Sequence, residues 1–193
     1  PSLINRIPVP LIVWVASYIF FLFTLVNNFS AAHDSINYLY YITKGEHLFH
    51  QHHLLYHFFA HKWLWFWKGI IDCSEHYLIE SFTALWGAGL LTLVYLFFRN
   101  RFYVSIAVSL AGTSIIAFSY GAWFYSTNIE VYIPAIFFII WCLYILTNKE
   151  FNKQDVWKIT VLHSAAILFH QVNILFAVVV LFWFFSHKIY LPV

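Results

Sequence analysis

The sequence predicts an all-α, polytopic transmembrane helical bundle of about six spans, with amphipathic juxtamembrane helices in its first outer loop. Three observations lead there. The composition is 62% hydrophobic and only 9% charged. The mean hydropathy is +0.75. The polar residues gather between long apolar runs. A soluble domain is nearer half apolar and about a quarter charged, and it has no interior large enough to hide this much Leu, Ile, Phe and Trp. A bilayer is the solvent that accepts such a chain.

The runs follow in order. Residues 8–29 form a first apolar segment, long enough as a helix to cross a hydrocarbon core of about 30 Å. A polar, aromatic and His-rich stretch, 30–76, comes next. The second run covers 77–98 and ends at Arg99-Asn100-Arg101. A third covers 102 to about 120, and a break at 121–128 precedes the fourth, 129–146. The fifth, 156–169, is short and interrupted by Lys158 and His163. The sixth, 172–185, closes at His187 and Lys188. The expectation is one transmembrane domain over 1–193. Because the chain begins Pro-Ser and holds no Met, it reads as part of a longer membrane protein.

Basic residues set the orientation, because cytoplasmic loops collect Lys and Arg. With Arg6 inside, alternation places Arg99, Arg101, Lys149, Lys153, Lys158 and Lys188 inside as well. Only Lys44, Lys62 and Lys68 fall outside, in the long loop. Asp34, Glu46, Asp72, Glu75, Glu80 and Glu130 then lie at or near the outer face, together with eight of the histidines. The expected localisation is an inner, plasma or endoplasmic-reticulum membrane, with the chemistry on the periplasmic, extracytoplasmic or lumenal face. The scattered basic residues argue against nucleic acid as a partner. Cys73 and Cys142 sit in different segments and suggest neither a disulfide framework nor a CxxC site.

Within the outer loop, His50, His53, His57, His61 and Lys68 recur at helical spacing, opposite Leu55, Phe58, Phe59 and Phe66. A helix of this kind, with Trp63, Trp65 and Trp67 beside it, suits the headgroup level of a membrane. Its polar stripe would meet phosphate or lipid headgroups. His57 and His61 at i and i+4 also permit a divalent metal. The match to the histidine boxes of membrane desaturases is poor, because the histidines crowd one outer loop.

Four positions carry candidate chemistry. Asp34, just beyond the first run, is a base near the bilayer boundary or a helix N-cap. His33 beside it would tune that base. Glu130 opens the fourth run, where an acid either faces a polar cavity or answers the helix dipole. His170, with Gln171, lies between the last two runs, as a phosphate donor or a plain polar turn.

Together these residues resemble the GT-C class of membrane glycosyltransferases, and within it the protein O-mannosyltransferase-like branch. The resemblance rests on His33-Asp34-Ser35-Ile36-Asn37 after the first run and His52-His53-Leu54-Leu55-Tyr56 in the outer loop. Glu130-Val131-Tyr132 at the fourth run and His170 at the next outer turn complete it. Asn37 stands where that family's pattern has an acid, and Gln51 where it commonly has Pro. The resemblance implies transfer of a sugar from a polyprenyl-phosphate donor to a protein, glycan or lipid acceptor, outside the cytoplasm. It implies Asp34 as the catalytic base. The substrate-binding set would be His33, His52, His53, Glu130, Tyr132 and His170. The competing readings are a transporter or flippase of lipid-linked substrates, and a His-rich, metal-dependent membrane oxidoreductase.

Overall fold

A computed structural model describes residues 8–26 and 33–186, with the side chain of His33 outside that set; Arg6, His187 and Lys188 lie outside it too. The described residues form nine α-helices: α1 (Val9–Phe23), α2 (His33–Lys44), α3 (Tyr56–Lys68), α4 (Glu75–Asn100), α5 (Ile106–Ala117), α6 (Tyr120–Thr127), α7 (Tyr132–Leu146), α8 (Lys153–Phe169) and α9 (Phe176–Ser186). A 3₁₀ turn, Gln171–Leu175, leads into α9. Among these residues the only β pairing is an isolated bridge between His50 and His53.

Local chemistry sets the boundaries. The hydroxyls of Ser74, Ser105 and Ser119 accept the backbone N–H of Tyr77, Val108 and Ala122, so each satisfies an orphan donor at a helix start. Asn152 opens α8 with a capping box, its own N–H donating to Asp155 Oδ2 at 3.1 Å. Helix α2 ends where Gly45 adopts φ +71°, and Glu46 N–H donates back to Tyr41 O at 2.9 Å. That is a Schellman stop, which favours a residue without Cβ. The imidazole of His61, on α3, donates from Nδ1 to Ile42 O at 2.7 Å and satisfies another carbonyl at the same helix end.

Of the six apolar runs, one becomes a straight helix that is by itself long and apolar enough to cross a membrane: α4, with 26 residues. Helices α5 and α6 pass the same length and composition test only as a pair, bent by 67°. The segment 121–128, expected as a break, is therefore mostly helix. Ser119 restarts the chain there in a new direction. Helices α1 and α7 have 15 residues each, and α8 has 17.

Helix α4 is the central post, packed against α1, α3, α5, α6 and α7, while α8 packs on α7. The loops divide between two ends. At one, Val26 N–H donates to Thr127 O, Leu55 N–H to Leu168 O and Gln171 N–H to His52 O. At the other, the Arg101 guanidinium donates to Tyr144 O at 2.8 and 2.9 Å. Successive apolar runs thus travel in alternating directions. Along them large apolar side chains face outward, with Ile115 74%, Phe182 72% and Phe185 81% exposed. An apolar outer surface on this scale needs an apolar partner or solvent.

Where α4 meets α1 and α6, Gly87 leaves no room for a side chain. A Cβ there would lie 2.5 Å from Ser126 Oγ and 3.0 Å from Phe21 Cε2. Gly121, in α6, faces open space. Gly87→Ala should therefore destabilise the fold by about 1–3 kcal/mol through overpacking. Gly121→Ala should be neutral or stabilising by up to about 1 kcal/mol. Thermal unfolding in detergent micelles reads both, and equal effects would contradict this packing.

Candidate functional site

The first turn of α2 carries Asp34 and Ser35. Asp34 is solvent-exposed and lies inside the helix as its second residue, not at the cap. Ser35 is buried, and its hydroxyl reaches Ile129 O at 3.0 Å and Glu130 Oε1 at 3.4 Å. Two stretches 95 residues apart in sequence are joined by this one side chain. Glu130 is only 5% exposed. Burial first, and the negative charge of Asp34 second, push its carboxyl up to about 7, against smaller opposing effects of the Ser35 and Val131 hydrogen bonds. The structure thus supplies a second carboxyl to the Asp34 site, from the turn before α7. Asn37, where the resemblance expects an acid, is exposed on α2.

Of the other predicted residues, Tyr132 and His170 meet each other. Tyr132, 40% exposed, lies against the His170 ring with centroids 5.0 Å apart. His170 ends α8 in an extended conformation, its N–H bonded to Ala166 O, and its Nδ1 is buried without a hydrogen-bond partner among the described residues. His52 is exposed, its ring in contact with the side-chain amides of Gln51 and Gln171. The 50–53 turn is thereby stitched to the turn after α8.

The histidine stripe behaves differently from expectation. His50 and His53 precede α3 in a tight turn, with His53 N–H donating to His50 O at 3.1 Å, so they do not share a helical face with His57 and His61. His53 and His57 are 2% and 0% exposed. His57 donates from Nδ1 to His47 O at 3.0 Å, which leaves its Nε2 to accept from His53 Nε2 at 3.2 Å. The stripe points inward, while Trp65 and Phe66 face out at 75% and 55%. Burial pulls the His53 ring down to about 3, helped by neighbouring histidines, and the His57 ring to about 4, so both are neutral near pH 7. Among the described residues, no three His, Cys, Asp or Glu side chains converge as a metal-binding set.

Two further residues belong to the site and were given no role by the sequence: Ser35, though it stands in the motif beside Asp34, and Tyr38. Ser35 is the bridge. Tyr38, one turn along α2, packs edge-on against His53 and His57 at 4.8 and 5.0 Å. Its phenol is pushed up by burial, then by Asp34 and Glu130. It keeps its proton near neutral pH.

The arrangement is an exposed carboxylate beside a buried carboxyl that titrates near neutrality, under a Tyr–His wall. Paired carboxyls in unlike environments are a general way to hold a base and a proton donor together. No known protein family, curated protein or solved structure matches the chain.

The shifts fix the sign of two pH effects. Glu130 holds its proton more tightly folded than unfolded, so its penalty is absent below about 4.5 and develops as pH rises through about 7. His53 and His57 hold theirs less tightly, so stability is lost as pH falls from about 6.5 towards 4. Glu130→Gln should therefore stabilise the protein at pH 8.5 by about 2–3 kcal/mol relative to pH 4.5. His57→Gln should flatten the acid limb. Unfolding measured from pH 4 to 8.5 checks both, and a Glu130→Gln profile parallel to that of the wild type would contradict the burial of this carboxyl.

Proposed function

We propose that this chain is an integral membrane glycosyltransferase of the GT-C kind, moving a sugar from a polyprenyl phosphate to an acceptor hydroxyl at the non-cytoplasmic face. The observation that carries the reading is the Ser35 bridge, which holds the exposed Asp34 beside the buried Glu130. The alternating directions of the apolar runs support six crossings. So does the split of charge, with Arg99, Arg101, Lys149 and Lys153 at the end opposite Asp34. The length of α4, about 39 Å at 1.5 Å per residue, fits a full crossing.

Asp34 takes the proton of the acceptor hydroxyl as its oxygen attacks the anomeric carbon. The new C–O bond forms while the bond from that carbon to the phosphate oxygen breaks, and the lipid phosphate leaves with the electron pair. Its charge needs donors. The exposed His52, and His170, whose buried Nδ1 has no hydrogen-bond partner among the described residues, are the candidates to supply them. His33 flanks the base in sequence, and the buried His53 shapes the wall from behind. Glu130 and Tyr132 line the sugar or acceptor pocket, Glu130 as the group that holds a proton near pH 7. A divalent cation, if the donor's phosphate carries one in, would meet Asp34 as the exposed carboxylate.

The test is transfer of labelled sugar from polyprenyl-phosphate donors to candidate acceptors in proteoliposomes containing the full chain, with and without divalent cations. Asp34→Asn should reduce the rate by about 100-fold or more without loss of folding or insertion. Full activity in that variant would remove the base from the scheme.

A further inference from the structure

On the other face of α4's first turns lies a cavity of about 240 Å³ that the site above does not use. Leu22, Phe23 and Leu25, from the end of α1, form one wall; Ser74, Tyr77 and Glu80 form the other. Glu80 is 1% exposed. Its Oε1 accepts no hydrogen bond among the described residues. His76 Nε2 stands 3.3 Å away as an i, i+4 ion-pair contact, charged only when the imidazole is protonated, and gives this oxygen no hydrogen bond among the described residues. No Lys or Arg pairs with Glu80 among the described residues, and the nearby Glu75 is already paired with Lys68. A buried carboxyl oxygen left without a donor is costly unless something in the adjoining space supplies it.

The walls say what that something is. A carboxylate asks for N–H or O–H donors, and a charged donor answers it more strongly than a neutral one. Phe23 and Tyr77 add two aromatic rings, whose faces attract cations. Leu22 and Leu25 supply apolar surface for a short stem. We propose that this cavity is a binding site for a primary ammonium group on a short apolar stem, held by a hydrogen-bonded ion pair with Glu80 between the Phe23 and Tyr77 rings. Two sources share this chemistry: the ethanolamine headgroup of a membrane lipid, and a soluble alkylamine. The site is separate from Asp34 and Glu130, and it stands whether or not the chain transfers sugar.

Isothermal titration of the full chain in phosphatidylcholine nanodiscs with n-butylammonium tests it. Saturable binding is expected, weakened about tenfold or more by Glu80→Gln. Leu22→Trp, which fills the cavity without touching the acid, should abolish it, and Glu130→Gln should leave it intact. Tetramethylammonium, which has no N–H, and n-butanol, which has no charge, should each bind far more weakly. In discs containing phosphatidylethanolamine, weaker apparent binding of n-butylammonium identifies the lipid headgroup as occupant, and unchanged binding identifies a soluble amine. The proposal is overturned by absence of saturable binding, or by binding unchanged in either Glu80→Gln or Leu22→Trp. It is equally overturned by binding lost in Glu130→Gln, or by n-butanol or tetramethylammonium binding as tightly as n-butylammonium.

Discussion

The candidate site depends on a single docking interaction. The Ser35 hydroxyl, in the first turn of α2, meets the Ile129 carbonyl and the Glu130 carboxyl. The segment before α7 is irregular at 128–131, so its backbone and side-chain groups have no helical partners of their own. Ser35 answers one of them. Asp34, its neighbour in the chain, is thereby fixed beside Glu130, although α2 and α7 are far apart in sequence. The raised affinity of Glu130 for its proton follows from its burial and then from the nearby negative charge of Asp34, which together outweigh the opposing Ser35 hydrogen bond.

Around that contact, polar groups of the stretch between α1 and α4 are used to hold backbone in place. His61 satisfies a carbonyl at the end of α2, and His57 satisfies His47 O while accepting from His53. Tyr56 bonds to Thr83 on α4 at 2.7 Å, and Trp63 donates to Ser81 at 3.0 Å. These bonds clamp α2 and α3 over the start of α4. The apolar residues Ile42, Ala60, Leu78 and Ile129 fill the space between them. The loop is thus a packed cap with its polar face inward, which is the orientation expected when the surroundings of the outward aromatic face are apolar rather than water.

Much of the helix layout was legible because apolar length is a direct physical signal. The run 77–98 became α4 at 75–100, and 156–169 became α8 at 153–169. The signals for turning were weaker. Ser119 caps a new helix where Gly121 suggested a break. The His50–His61 spacing fits one helix, but the chain turns at His53 before α3 begins. Candidate residues stood out by type, since Asp34, Glu130 and His170 are polar groups beside apolar runs; of the expected substrate-binding set, the structure brings Tyr132 and His170 into contact. Ser35 was legible only as part of the motif beside Asp34, its bridging role appearing once its partner 95 residues away is seen, and Tyr38 in an aromatic-rich chain carried no distinguishing chemistry.

The central claim is that Ser35 and Glu130 interact in the folded chain and hold α2 against the 129–130 turn. A double-mutant cycle on stability, with Ser35→Ala, Glu130→Gln and the double variant unfolded in the same detergent at pH 8, measures this directly. The structure predicts a coupling of about 0.5–1.5 kcal/mol between the two positions. Strictly additive effects would contradict it and leave Asp34 without the neighbour on which the proposed chemistry is built.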